Sequence, residues 1–320
     1  MGERGPTLGG VSAPGDESAD SPSKTAHPQG SSATLVVLAA GQATRYGGAV
    51  KPLAPVGPGG EAVIDIVGSD AVAAGFSRLV LVLGHETGPA IRYHVERTWP
   101  ARVDVAFALQ EVPRGTVDAV LAAEEHVGPH ASFGVANADD VYGQGGLARL
   151  ASHVAAAGDE HALVAYRLRD SLIGREPVTR GICEVGPDGM LRAVDERRKV
   201  TPRADGTIVA GDDREPAELD PEAPVSVNLW GFRPTIWAVF EEAMAQAGTD
   251  PAAEVLLPEV VGELLAGGRH SGAGPQRFAV LDAPGRCIGV THPGDLALVQ
   301  ADLARQVGKG ERPAQLWSTG

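Results

Sequence analysis

From residue 34 onward, apolar and polar positions fall into two alternating textures. Short runs rich in Val, Leu, Ile and Ala, bounded by turn-forming residues, predict strands over 34–40, 78–83, 103–109, 133–138 and 162–168. Between them apolar residues recur at helical spacing, which predicts helices over 62–75, 89–97, 116–126 and 145–157. Strand and helix in alternation argue for a mostly parallel sheet with helices on both faces, because parallel neighbours need a crossover between them. Ligands in such sheets bind beyond the carboxyl ends of the strands. The loops after the first and fourth strands should therefore open onto one crevice.

After about residue 170 the texture changes. Residues 181–185 and 190–194, separated by the turn Gly-Pro-Asp-Gly at 186–189, predict a β-hairpin. Residues 200–224 are polar and Pro-rich, which predicts a long loop or an irregular hairpin. A further strand is expected over 225–232, helices over 235–247 and 252–265, strands over 278–281 and 287–290, and a last helix over 295–307. Residues 1–32 are rich in Gly, Ser, Pro, Asp and Ala and cannot bury enough surface to offset the entropy of ordering, so a disordered tail is expected there. The domain organisation that follows is a tail over 1–32, one domain over 33–308 and an extension over 309–320. No internal repeat is present.

Composition narrows the function. The 320 residues carry 27 Lys plus Arg against 41 Asp plus Glu, a formal net charge of −14. A chain this acidic is a poor match for nucleic acid or for an anionic membrane, so neither is expected as a partner. Anionic substrates would then need local cations and a divalent metal. No apolar run reaches the length of a membrane span. The two cysteines, Cys183 and Cys287, offer no disulfide framework and suit a reducing, cytoplasmic setting. His126 and His130 have a ligand-like spacing, but Gly128 and Pro129 break the helix that would align them on zinc.

The chemistry concentrates in the stretch LVVLAAGQATRYGGAVKP over 35–52. A run with the composition of a doubly buried strand breaks into a loop with three glycines and two cations, Arg45 and Lys51. Glycines let backbone N–H groups crowd an anion, and the cations offset the charge of a phosphate chain. This reads as a nucleoside-triphosphate site, although neither a Walker A sequence nor a G-x-G-x-x-G fingerprint is present. Asn137, Asp139 and Asp140 end a strand predicted to lie nearby, and paired carboxylates there suit Mg²⁺ or, more plainly, an acidic turn with Asp140 as helix cap. Gln110, Gly115 and Thr116 follow another strand. A glutamine pairs bidentately with a base edge, Gly115 lets backbone approach the base, and Thr116 is placed to cap the next helix.

These motifs together resemble the sugar-phosphate nucleotidyltransferases, whose signature is L-A-A-G-x-G-T-R-x-G-x-x-x-K-P. Ala43 stands where that family usually has glycine. The resemblance covers about residues 35–304 and implies a GT-A-like, Rossmann-type α/β fold, a mixed, mostly parallel sheet flanked by helices with β-hairpin insertions for the sugar site. It implies Leu38, Ala39, Ala40, Gly41, Thr44, Gln110, Gly115 and Thr116 as nucleotide-binding residues. Arg45, Lys51 and Asp139 become the catalytic set, with Mg²⁺ on Asp139. Asp140, Gly181, Glu196, Arg197 and Asn228 become the sugar-phosphate site, Arg197 standing where lysine is usual. The family's second metal ligand aligns with Thr291, which is no carboxylate, and Asp295 is the nearest substitute.

The implied reaction joins a nucleoside triphosphate, UTP or dTTP, to a sugar 1-phosphate with release of pyrophosphate. The implied partners are these two small molecules, and a homo-oligomer is left open. Alternatives are a cytidylyltransferase acting on a phospho-alcohol such as phosphocholine, a GT-A glycosyltransferase, and a non-catalytic nucleotide-sugar sensor. An aromatic cation cage would favour phosphocholine, but aromatic residues make up only 4% of the chain.

Overall fold

The structure, a computed structural model, describes residues 1–2, 33–41, 50–268 and 275–317. The expected tail, apart from residues 1–2, and the loop positions Thr44 and Arg45 lie outside the described residues. Residues Ser31–Gly320 form one compact unit, distinct from Met1–Gly30.

The first half alternates as the apolar pattern requires. Strand β1 (Ala33–Ala39) leads to α1 (Val63–Ala73), β2 (Phe76–Leu83), α2 (Gly88–Thr98), β3 (Asp104–Leu109), α3 (Thr116–Leu121) and α4 (Glu124–Val127). Then come β4 (Phe133–Asn137), the short β5 (Asp140–Val141), α5 (Gly143–Ala155) and β6 (His161–Arg167). The single helix expected over 116–126 is two helices, α3 and α4.

The second half opens with a long hairpin, β7 (Val178–Val185) and β8 (Leu191–Pro202), extended by β9 (Ile208–Val209) and β10 (Glu218–Leu219). There follow β11 (Pro224–Phe232), α6 (Ile236–Gln246), α7 (Leu257–Leu265), β12 (Phe278–Asp282), β13 (Ile288–Gly289) and α8 (Asp295–Gly308). The helix expected from 252 begins only at Leu257, with Pro258 in its first turn, where proline costs no hydrogen bond.

The main sheet is mixed, in the order β10-β9-β8-β7-β11-β4-β1-β2-β3, with β6 and then β12 on the other side of β11. Strands β4, β1, β2 and β3 are mutually parallel, and β11 runs antiparallel to β4, β6 and β7. Strand β1 is buried on both faces because its side chains alternate between two cores. Leu35 and Val37 pack with Ile64 of α1 and Leu150 of α5, whereas Val36 packs with Val120 of α3 and Phe240 of α6. This is the three-layer arrangement that alternating strands and helices require.

Two details position the site. The carboxyl ends of the four parallel strands lie along one edge, and Gln110 ties two of them by donating its backbone N–H to Leu83 O at 2.8 Å. Strand β11 shares one of its edges between two partners, β7 at Val225 and Ser226 and β4 from Trp230 onward. Its register slips between those points, and Asn228 there adopts φ 64°. Asparagine is among the few non-glycine residues that visit this left-handed region readily.

Candidate active site

Two cavities open at this edge and share a wall. One, of about 520 Å³, is lined by Leu38, Ala40, Gly41, Gln110, Gly115 and Asp139 among others. The second, of about 180 Å³, is lined by Asp140, Arg180, Gly181, Glu196 and Ser226 among others. Asn137 and Asn228 line both. The paired carboxylates thus divide, Asp139 facing the first cavity and Asp140 the second.

The shared wall is a chain of hydrogen bonds. Asn228 Nδ2 donates to Asn137 Oδ1 at 3.4 Å, and Asn137 Nδ2 donates to Asp140 Oδ2 at 2.9 Å. Trp230 Nε1 donates to Asn228 Oδ1 at 2.9 Å. The buried Tyr142 hydroxyl accepts the Asn137 backbone N–H at 2.9 Å and donates to Val227 O at 3.0 Å, which joins the end of β4 to the slipped segment of β11.

Among the described residues the wall carries little positive charge. Lys51 Nζ lies 3.9 Å from Asp139 Oδ2, at the outer limit of an ion pair. The Asp139 carboxylate opens to the cleft, with its side chain 36% exposed, while protein packs closely around the rest of it. That burial, together with Asp140 beside it, pushes the Asp139 carboxyl up to about 6 against the pull of Lys51. Asp140 is raised as well, by burial above all, with Asn137, Arg180 and Lys51 opposing. Adjacent carboxylates that hold protons above their ordinary range are under-neutralised, and a cation would relieve both.

The remaining sequence candidates sort by position. Ala39 is buried in the core, so it lines neither cavity, and Leu38, Ala40 and Gly41 form the floor of the larger one. Gly115 adopts φ 93°, and a Cβ there would lie 2.3 Å from Val255 O, so only glycine fits. Thr116 lines the larger cavity but does not cap α3; its hydroxyl accepts the Leu257 N–H at 2.8 Å, at the start of α7. Asp140 caps no helix, since the position before α5 is Tyr142, which makes no side-chain capping bond.

Arg197 does not reach the cleft. It is 2% exposed, and its guanidinium grips Asp212 through two bonds of 2.9 and 3.0 Å while also donating to Arg214 O and Pro216 O. It therefore clamps the loop between β9 and β10, and Arg180 is a cation that lines the smaller cavity. Asp295 is also committed elsewhere, its Oδ2 accepting the N–H groups of Thr291 and His292 at 3.0 and 2.7 Å. The segment expected to carry the second ligand does run beside the carboxylates, since Ile288–Gly289 pairs with β5 and Val290 N donates to Asp139 O at 3.3 Å. It brings no acid there. Gly289 faces Asp140 so closely that a Cβ would lie 2.1 Å from Asp140 Oδ1.

A family model described as nucleotidyl transferase matches residues 34–194, half of the chain, spanning β1 to the start of β8. The chain belongs to the nucleotidyl transferase family. No curated protein matches its sequence. Among solved structures, a UDP-glucose pyrophosphorylase from Acinetobacter baumanii is similar, with a TM-score of 0.59 and 18% identity over 88% of this chain and 95% of that one. At that identity the likeness concerns the fold. This transferase thus has the expected mixed sheet flanked by helices, parallel through β4, β1, β2 and β3.

Its donor set suits a hard cation that keeps other ligands. Asp139 and Asp140 offer carboxylate oxygens, Asn137 an amide oxygen, and no group of three or more His, Cys, Asp or Glu positioned for a metal occurs among the described residues. Mg²⁺ is commonly bound in this way, by one or two carboxylates, water and substrate phosphates. Residues such as Ser226, Glu254 and Leu256 also line the cavities. Glu254 and Leu256 escape a sequence reading because the segment before α7 lacks any motif and reaches the site by pairing with residues 114–117, as in Val255 N to Arg114 O at 2.9 Å.

Proposed function

We propose that this nucleotidyl transferase makes a nucleotide sugar and pyrophosphate from a pyrimidine nucleoside triphosphate, UTP or dTTP, and a sugar 1-phosphate. The observation that carries the reading is the pair of cavities meeting at Asn137 and Asn228, with one aspartate on each side. The larger one, floored by Leu38, Ala40 and Gly41 and lined by Gln110, is assigned to the nucleotide. The smaller one, with Glu196, Asn228 and the Gly181 backbone, is assigned to the sugar. Its polar acids and amides suit hydroxyl groups, and among the described residues its lining holds no aromatic side chain to face a choline.

In the proposed step, an oxygen of the sugar phosphate attacks the α-phosphorus in line. The bond from that phosphorus to the α–β bridging oxygen breaks, and pyrophosphate leaves with the electron pair. No covalent enzyme intermediate is required, so the protein contributes positioning and charge stabilisation. Lys51 is placed to neutralise phosphate charge beside Asp139. Arg45 is assigned to the triphosphate and the leaving pyrophosphate on the sequence motif alone. Bound Mg²⁺ would be held by Asp139, with Asp140 on the acceptor side, and would supply neutralisation of the triphosphate. A cytoplasmic setting belongs to the same proposal and is supported by two free, buried cysteines. Among the described residues no helix is long and apolar enough to cross a membrane.

The test is pyrophosphate release with Mg²⁺ across ATP, GTP, CTP, UTP and dTTP, against a panel of sugar 1-phosphates and phosphocholine. Release with UTP or dTTP and one sugar, lost in Asp139→Asn and Lys51→Ala, is expected. Nucleotide binding without release from any pair would contradict a transferase and leave a sensor.

A further inference from the structure

Gln110 sits where β3 meets the cleft, is 6% exposed, and lines both the nucleotide cavity and an adjoining one bounded by Gly84 and Thr87. Its side-chain amide is committed on one side only. Nε2 donates to Gly115 O at 3.0 Å and to Asp118 Oδ2 at 2.8 Å. Both partners are acceptors, and an ionised carboxylate offers nothing else. Turning the amide over would set Oε1 against two oxygens and leave Nε2 without them. The amino group is therefore fixed toward the first turn of α3. Oε1 carries no hydrogen bond among the described residues, and is the one polar atom of this side chain left to meet a base.

Resting on the nucleotidyl-transfer reading, we infer that Asp118 is a positioning residue that locks Gln110 as an acceptor, so that the site selects a pyrimidine whose N3 carries a proton. Uracil and thymine donate N3–H to Oε1. Cytosine presents a lone pair at N3, and two acceptors then face each other in a largely buried site. Asp118 reaches no base itself and acts through Gln110. In a purely helical role, as an acid in the first turn of α3, it would favour the helix whatever the base. Base selectivity separates the two roles.

The experiment is titration calorimetry of the full chain with Mg²⁺ and, separately, UTP, dTTP and CTP, for the native protein and for Asp118→Asn and Asp118→Ala, with thermal unfolding as the check on folding. Asparagine presents either an acceptor or a donor to Gln110 and so loosens the lock, leaving Gly115 O as the one obligatory acceptor on Nε2. The native protein should bind UTP and dTTP in preference to CTP. In Asp118→Asn the preference should shrink by about tenfold or more, through weaker UTP and stronger CTP. Asp118→Ala should also lose selectivity, at whatever stability it retains. An unchanged preference in a folded variant would overturn the inference, as would equal affinity of the native protein for CTP and UTP. Because binding is read without turnover, absent transfer would count against the enzyme reading alone, and absent binding of every pyrimidine nucleotide against both.

Discussion

Asn228 donates its side-chain amide to Asn137 across 3.4 Å, and this contact lies where the two cavities meet. It exists because β11 slips register between β7 and β4 and places Asn228 at φ 64°. The backbone irregularity and the site are thus one feature. Replacing Asn228 separates its two contributions. Asn228→Gly keeps the conformation and removes the amide, whereas Asn228→Ala also pays for the left-handed backbone. Both should raise KM for the sugar 1-phosphate by about tenfold. The alanine variant should be less stable than the glycine variant by roughly 1 kcal/mol. Steady-state kinetics and denaturant unfolding of the two proteins check this.

Asp139 should reduce stability in the absence of metal. Its carboxyl is pushed up to about 6 in the folded protein, from an ordinary value of 3.8. Between those values the folded state holds the proton and the unfolded chain does not, so this group makes stability fall as pH rises through the window. Above about pH 6 the full penalty is present. Asp139→Asn should therefore unfold at a higher temperature than the native protein at pH 7.5 without divalent ions. Mg²⁺ with UTP should close that gap by stabilising only the native protein. Activity of the native enzyme should fall as pH drops through about 6, as the carboxylate takes up its proton. Thermal scans and a pH–rate profile measure both effects.

The segment after α8, expected as an extension, is pinned to the domain. Arg312 donates to both oxygens of Asp70 at 2.6 and 2.7 Å, with the two side chains 4% and 2% exposed. Trp317 packs against Trp99 at a ring separation of 4.9 Å. A chain ending at residue 308 would leave Asp70 buried without its arginine and should lose about 3 kcal/mol or more. Asp70→Asn in the shortened chain should recover part of the loss, which urea unfolding would measure.

Gly115 is a further sensitive position. Its φ of 93° and the 2.3 Å separation a Cβ would have from Val255 O both exclude a side chain. Gly115→Ala should cost about 2–5 kcal/mol, from the strained backbone and the displaced segment before α7. Nucleotide affinity should fall with it, since that segment walls the larger cavity through Glu254 and Leu256. Urea unfolding and nucleotide titration of the variant would read the two losses.

The parallel half of the sheet was legible because its signal is local: β1 is an apolar run that must be buried on both faces, and each crossover helix has its own periodicity. The motifs at residues 110–116 and 137–140 could be placed from the strands they follow. What escaped depends on contacts far along the chain. Arg197 looked like a phosphate ligand because its partner Asp212 lies 15 residues on, in a loop with no regular pattern. Thr116 looked like a cap because nothing local announces that Leu257, 141 residues away, would donate to it. Asn137 stood in a quoted motif, yet its place in both cavities follows from the slip in β11, which no periodicity encodes.

The most direct measurement is displacement by product. If the two cavities are halves of one reaction cleft, a nucleotide sugar such as a UDP-sugar occupies both. Calorimetric competition should then show that the saturating product abolishes binding of UTP and also of the matching sugar 1-phosphate. A protein that still binds the sugar 1-phosphate at full affinity with the product in place would contradict the assignment of the smaller cavity to the acceptor.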